Sequence, residues 1–424
     1  MRCMYLLIAA ADMVHLDGQR AQNNLPLPAL DSAAWSTAVE RLWTNMVDKK
    51  MSLTGGIGAI KQWEGFGIDY FLPQGTDEGG CYNETCASIA VMMFAERLLQ
   101  ANLSNPDRRY ADVMELSLYN NIMTAMDLEG NAFTYGNQLA SSAKTPSARS
   151  DWFEVACCPP NLARLFGSLG GYLWDYGSDS PSSAFINVHL YTTAKLTFTI
   201  PFQPETAHSD TIALTQTSNY PWEGTISFSL SAPPFVSTTL RLRLPAWSKN
   251  QYTLSPALSP SPSASPNTPS ITSGGYLSLP PSYLASNPNF TLSLSGFTPR
   301  YLTPHPYTNQ NTVTLARGPI IYCAEDVDNA WEENHFKDVV VSAGGEVKEE
   351  RRVYERTGEE YVELEVGCWS RGVKVEGEVG EPGREVEELV ERGVGGERML
   401  VLVPYYFRAN RPGKGQMRVG FQRC

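Results

Sequence analysis

Four residues with metal-binding side chains fall into two short groups in this 424-residue chain. Glu84-Thr85-Cys86 stands where a loop meets a predicted helix. Cys157-Cys158-Pro159-Pro160-Asn161 enters another helix, 71 residues beyond Cys86. Thiolates near a helix N-terminus are favoured by the backbone dipole and by N–H groups with no partner in the helix. Two such entrances facing each other would offer three sulfurs and one carboxylate, a donor set that zinc (Zn2+) accepts in tetrahedral geometry. The residues alone leave four readings open: a vicinal Cys157–Cys158 disulfide, buried inert thiols, a closed structural zinc site, or a catalytic metal site. The spacing is not that of a zinc finger or ribbon.

A second kind of chemistry is suggested by Glu64, in the run Trp63-Glu64-Gly65-Phe66-Gly67-Ile68-Asp69-Tyr70. Enclosure by Trp63 and Phe66 would raise its pKa and keep on it the proton that a general acid needs. The plainer reading is an exposed loop glutamate. Asp69 could take the same role, although it reads as a turn or packing residue.

The elements that must position these groups are helical over about the first 175 residues. Asp31–Lys50 opens on an Asp cap and carries Ala34, Val39, Leu42 and Met46 at helical spacing. Thr85–Leu103 and Tyr110–Leu128 repeat the period, and Asn161–Trp174 follows Pro159-Pro160, which suit a helix entrance. After Tyr176 the texture changes to alternation. Strands are predicted at Phe185–Ile200, Thr225–Leu230, Ser237–Leu244, Tyr276–Leu279, Phe290–Leu294 and Val313–Tyr322. Beyond Asp338, Val alternates with Glu, Lys and Arg in Val339–Val341, Val347–Tyr354, Tyr361–Val366 and Val373–Val379, as in strands of a solvated sheet; Met399–Phe407 is more apolar. Ser255–Ser273 is Ser/Pro-rich and reads as an exposed loop.

Composition narrows the function classes. A net charge of −12 lacks the footprint of a nucleic-acid binder and disfavours anionic membrane surfaces. No apolar run reaches about 18 residues, so no membrane span is expected. Eight cysteines in 424 residues are too sparse for a disulfide scaffold. Three metal-bound thiols would suit a reducing compartment, so a cytoplasmic location is expected, with secretion as the alternative. Asn83, Asn102 and Asn289 begin N-x-[ST] sequons, and a glycan on Asn83 would conflict with the proposed site.

These motifs together give the chain a resemblance to glycoside hydrolase family 127, the β-L-arabinofuranosidases. The shared runs are Thr54-Gly55-Gly56-Ile57-Gly58, Glu64-x-Phe66-xx-Asp69-Tyr70-x-Leu72-Pro73, Glu84-Thr85-Cys86-Ala87-Ser88, Tyr135-x-Asn137 and Asp151-Trp152-Phe153-xx-Ala156-Cys157-Cys158-Pro159-Pro160-Asn161. Ala316–Cys323 and Pro404–Arg411 are similar to the family's later strands. The resemblance implies an (α/α)6 barrel followed by two β-sandwich domains. Here that means the C-terminal part of the barrel over 1–176, one sandwich over 177–304 and a second over 305–424. It also implies retaining release of non-reducing-end β-L-arabinofuranosyl units from an oligosaccharide or glycan. Matched residue by residue, the zinc ligands are Glu84, Cys86, Cys157 and Cys158, the nucleophile is Cys157, the acid/base is Glu64 and a substrate contact is Tyr135.

About five helices precede the β region, where a full barrel has twelve, and Met1–Leu6 is similar to the middle of a family segment. The chain is therefore expected to begin inside the barrel. Apolar helix faces left uncovered by a partial barrel are expected to drive association, so a homo-oligomer is one expected state. The alternative function is a catalytically inactive or carbohydrate-binding relative with a structural zinc site. A thiol-redox protein using Cys157 and Cys158 is a third, though it gives Glu84 no task.

Overall fold

The computed structural model of the chain describes residues 1–23, 30–152, 154, 156–180, 182–200, 211–257, 268–375, 386–390 and 397–424. Phe153, residues 258–267 of the Ser/Pro-rich loop and the 376–379 end of an expected strand lie outside the described residues. The order of elements is helices first, then strands. The principal helices are α1 (Arg2–Asn23), α2 (Ser32–Lys50), α3 (Thr85–Gln100), α4 (Arg108–Leu116) and α5 (Cys158–Gly167). No described helix is long and apolar enough to cross a membrane.

Local chemistry sets the helix ends. The Asp31 carboxylate accepts the Ala34 N–H at 3.1 Å, as the predicted cap requires. Asp107 caps α4 in the same way, accepting Arg109 N–H at 2.9 Å. Helix α5 begins at Cys158, three residues earlier than its apolar period indicates, so Pro159 and Pro160 occupy its first turn. There a missing N–H costs nothing, because first-turn N–H groups have no intrahelical acceptor. The segment expected to be helical over Tyr110–Leu128 leaves α geometry after Leu116. It widens into π turns over Ser117–Ile122 and ends as a 3-10 turn, Met123–Ala125. The two asparagines in the wide turn, Asn120 and Asn121, are both fully buried. Asn120 accepts Ile321 N–H at 2.8 Å and donates to Pro319 O at 3.0 Å, which a solvent-facing side chain could not do.

The chain divides into two compact units, each assembled from separated stretches. One comprises Met1–Leu42, Ile89–Leu118 and Pro160–Thr298. It holds two five-stranded sheets. In the first, Trp174–Ser180, Ser183–Val188, Ser237–Arg243, Tyr276–Leu279 and Ser270–Ile271 are neighbours in that order. The second runs Ala194–Thr199, Thr211–Ser218, Thr225–Ser231, Asn289–Leu294 and Tyr252–Ser255. Thr225–Ser231 alternates exposed and buried residues without a break, the period-2 signal read from its sequence.

At the core of this unit lies a buried ionic node. Arg243, fully buried, donates to Asp112 at 2.5 Å and to the backbone carbonyl of His189 at 2.5 Å, and it pairs with Glu115. Glu115 also accepts from Trp247 Nε1 at 2.9 Å and from the Tyr220 hydroxyl. The other unit comprises Trp43–Ser88, Tyr119–Pro159 and Pro299–Cys424. Its nine-stranded sheet includes Glu359–Ser370, Arg398–Pro404 and Ile320–Glu325, and among the described residues Val347–Tyr354 pairs with Glu359–Ser370 alone. Six of that strand's eight residues are exposed on both faces, which accounts for its charged sequence.

The node predicts a large stability effect. Glu115→Ala leaves Arg243 buried with a principal partner removed and should cost about 3–5 kcal/mol. Urea unfolding followed by circular dichroism measures this, and an unchanged midpoint would contradict the assignment.

Candidate functional site

The site is built on two helix starts and the loop between them in space, all within the unit containing Trp43–Ser88, Tyr119–Pro159 and Pro299–Cys424. Glu84 is the last residue before α3, its carbonyl accepting from Ala87 N–H at 3.0 Å. Cys86 is the second helical residue. Cys158 opens α5 and Cys157 immediately precedes it. Each sulfur is thereby held next to a helix N-terminus, the placement inferred from the sequence.

The structure brings the three cysteines together. Cys86 Sγ lies 3.4 Å from Cys157 Sγ and 3.6 Å from Cys158 Sγ, and the two vicinal sulfurs are 3.7 Å apart. These distances are far beyond a disulfide bond of about 2.05 Å. They resemble the roughly 3.8 Å edges that bonds of about 2.3 Å to one tetrahedral ion would give. Among the described residues this is the one group of three or more ligand side chains with mutually close donor atoms. Glu84 stands at its edge, Oε1 4.0 Å from Cys157 Sγ. It is nearly fully buried, as are Cys86 and Cys158, while Cys157 is half-buried.

Without a cation this arrangement favours neutral thiols. Burial pushes the Cys157 thiol up, and Cys158 is raised by its hydrogen bond with Cys86 and then by burial. Burial likewise raises Glu84, with the Glu64 charge adding to it. Three crowded thiols and a buried carboxylate have a common remedy in a divalent cation, which reverses this electrostatic balance. The residues present therefore fit a zinc-type ion.

A cavity of about 570 Å³ is lined by Lys61, Glu64, Tyr82, Tyr135, Gln138 and neighbouring residues. The Tyr135 hydroxyl is 3.4 Å from Cys157 Sγ, linking cavity and thiols. Burial raises the Tyr135 and Tyr82 phenols, so both remain protonated donors at neutral pH. Glu64 lines the same cavity but is exposed, at the left-handed end of the turn Lys61–Trp63 with φ 49°. Trp63 is 71% exposed and does not enclose it, so the apolar surround expected for Glu64 is not formed. Asp69 is excluded as an acid. Hydrogen bonds from Lys50 and Lys49, each at 2.9 Å, hold its carboxyl down to about 2.

Gly136 and Asn137 carried no assigned role in the sequence, and Tyr135 was read only as a substrate contact. Tyr135-Gly136-Asn137 straps the start of α3: Thr85 N–H donates to Tyr135 O at 3.0 Å, and Gly136 bridges Glu84. Asn83, held at φ 38°, is buried, leaving no room for a glycan. The run Tyr135-x-Asn137 was visible as a motif, but its partners are remote in sequence.

Comparison with known proteins agrees with this organisation. Three family models match in order: the GH127 β-L-arabinofuranosidase catalytic domain over residues 28–171, the GH127 middle domain over 185–279 and the family's C-terminal domain over 299–422. A non-reducing-end β-L-arabinofuranosidase of Bifidobacterium longum subsp. longum is 30% identical over 403 residues, covering 91% of this chain and 55% of that protein. The crystal structure of a GH127 β-L-arabinofuranosidase from Geobacillus stearothermophilus T6 superposes with a TM-score of 0.74 at 27% identity, covering 100% of this chain and 60% of that one. A second solved GH127 β-arabinofuranosidase gives a TM-score of 0.72 at 25% identity, with the same coverage. Helices followed by β-sheets, with matches throughout to glycosidase domains, define a polypeptide of the glycoside hydrolase class. The chain belongs to glycoside hydrolase family 127. It spans 55–60% of the length of these relatives.

Close approach at Gly136 gives a test of the strap. A Cβ there would lie 2.8 Å from the Tyr82 carbonyl oxygen, so Gly136→Ala must displace backbone. A loss of about 1–3 kcal/mol is expected, as for other overpacked sites, read as a lower thermal midpoint. No change would mean that the strap is slack.

Proposed function

We propose that this chain is a zinc-dependent retaining glycosidase that removes non-reducing-end β-L-arabinofuranosyl units. The observation that carries the reading is the three-sulfur cluster opening, through Cys157 and Tyr135, onto a cavity that Glu64 also lines. Glu84, Cys86, Cys157 and Cys158 would hold the ion. When bound, zinc supplies the positive charge that favours thiolate over thiol at Cys157. The fold context we infer is the C-terminal part of an (α/α)6 barrel over 1–176, followed by two β-sandwiches over 177–304 and 305–424.

Retention requires two displacements. In the first, Cys157 sulfur attacks the anomeric carbon as the bond to the departing oxygen breaks. Glu64 gives that oxygen its proton. In the second, Glu64 takes a proton from water, whose oxygen attacks the same carbon while the C–S bond breaks. The sugar leaves with its original configuration, and Cys157 is restored. The exposure of Glu64 suits the second step, since water must reach it. Tyr135, a phenol beside the sulfur, can donate a hydrogen bond to a sugar oxygen in the cavity.

Exposure of Leu6 (70%), Leu16, Leu42 and Trp35 on α1 and α2 supports self-association of this chain. A carbohydrate-binding relative with a structural metal remains the rival reading, and it would keep zinc and sugar binding without turnover.

The test begins with zinc per chain in protein purified without added metal. About one zinc, lost on Cys158→Ala, is expected. Cys157→Ser should abolish release of L-arabinose while preserving sugar binding. Glu64→Gln should lower kcat by about 10²–10⁴-fold on a natural glycan, and by less on an aryl glycoside whose leaving group needs no proton. Zinc binding with no turnover in the parent would select the binding protein. Absence of zinc would reject the site.

A further inference from the structure

Arg408 follows the turn Tyr405–Phe407 at the end of strand Arg398–Pro404, more than 250 residues after Cys157. It is 1% exposed. Among the described residues its guanidinium has no ion pair with a carboxylate. Its partners are neutral: Nη1 donates to Ser147 Oγ at 3.1 Å, and Nη2 to Asn137 Oδ1 at 3.1 Å. The guanidinium lies 5.4 Å from the centre of the Tyr405 ring, whose hydroxyl donates to Gln138 O at 2.8 Å. Burying a cation without a counter-charge is costly, so its presence calls for a reason.

Asn137, fully buried, carries the connection onward. Its Nδ2 donates to Thr85 Oγ1 at 2.9 Å and to Asn83 O at 3.1 Å. Thr85 Oγ1 in turn donates to Thr134 O at 2.8 Å. The amide orientation is fixed by these contacts: a flip would set NH2 against the guanidinium and oxygen against the Asn83 carbonyl. Asn83 and Thr85 bracket Glu84, and Thr85 precedes Cys86. Two successive hydrogen bonds thus lead from Arg408 to the backbone that aims a carboxylate and a sulfur.

We propose that Arg408 and Asn137 form the outer clamp of the Glu84/Cys86/Cys157/Cys158 metal centre, so that the C-terminal region sets the affinity of a site to which it gives no ligand. The inference rests on the zinc reading above. The buried Arg408 guanidinium holds the Asn137 amide oxygen, and Asn137 fixes the ligand backbone at Asn83 and Thr85. Both are positioning residues; neither touches the sulfurs. Groups around a metal's ligands commonly contribute 10–100-fold in affinity.

The experiment uses the full chain and two readouts besides turnover: zinc affinity by chelator competition, and the sulfur-to-cobalt charge-transfer band of the Co2+-loaded protein. Arg408→Gln and Asn137→Ser should each weaken zinc binding by about 10–100-fold and perturb the band. Arg408→Lys should recover part of the loss, keeping charge but unable to span Ser147 and Asn137. Arg411→Gln is the structural control. Arg411 is largely buried too, but pairs with Glu325 and Asp328 at 3.0 and 2.6 Å. It should lower the melting temperature without changing zinc affinity. If the Arg408 variant does not fold, Asn137→Ser decides alone. Parental affinity and an unaltered band in Asn137→Ser or Arg408→Gln would overturn the proposal while leaving the zinc reading standing. A parent that binds no metal would overturn the zinc reading and this inference together.

Discussion

The arrangement depends on bringing two helix starts, separated by 71 residues, close enough for their cysteine sulfurs to lie 3.4–3.7 Å apart. Helix starts have unsatisfied N–H groups and positive dipole ends, so two of them in proximity repel unless something negative lies between. Thiolates would meet that need, and a divalent cation would in turn meet the need of the thiolates. The surrounding architecture follows from this constraint. The strap Tyr135-Gly136-Asn137 bonds to the entry of α3, and Gly136 is small because it lies on the Tyr82 backbone.

The buried candidate ligands and the candidate acid/base occupy opposite environments. Cys86, Cys158 and Glu84 are buried, with little room for water, while Glu64 is exposed on a short loop at the cavity. A metal-thiolate centre benefits from exclusion of water, since a lower local dielectric strengthens the metal-ligand attraction. An acid/base residue that alternately gives and takes a proton benefits from access. Cys157, half-buried and touching Tyr135, stands at the boundary between the two.

Support for the centre comes from residues far along the chain. Arg408 and Tyr405 bond to Asn137 and Gln138 in the segment between the two cysteine groups, and Arg149 of that segment donates to Thr124 O at 3.0 Å and to Tyr406 O at 3.2 Å. Asn121, turned inward by the π-helical widening, does the same for the helical side, donating to Ser88 Oγ at 2.7 Å. These are buried, directional contacts, and each leaves a costly orphan if its partner is removed.

Sequence by itself determined the order of helices and strands and the placement of cysteines at helix entrances. Those features are local: period 3.6 or 2, an Asp cap, a proline pair and a short motif each write themselves into consecutive residues. Val339–Val341 and Tyr276–Leu279 are strands over the residues their alternation marked. Tertiary structure decided what local pattern cannot encode. It ended α4 at Leu116, because buried Asn120 must reach Pro319 and Ile321. It exposed Glu64, since adjacency of Trp63 in sequence does not fold the indole over the carboxylate. It joined Arg408 to Asn137 across 271 residues. Enclosure and long-range hydrogen bonds depend on which surfaces meet after folding, and that meeting is set by the whole chain.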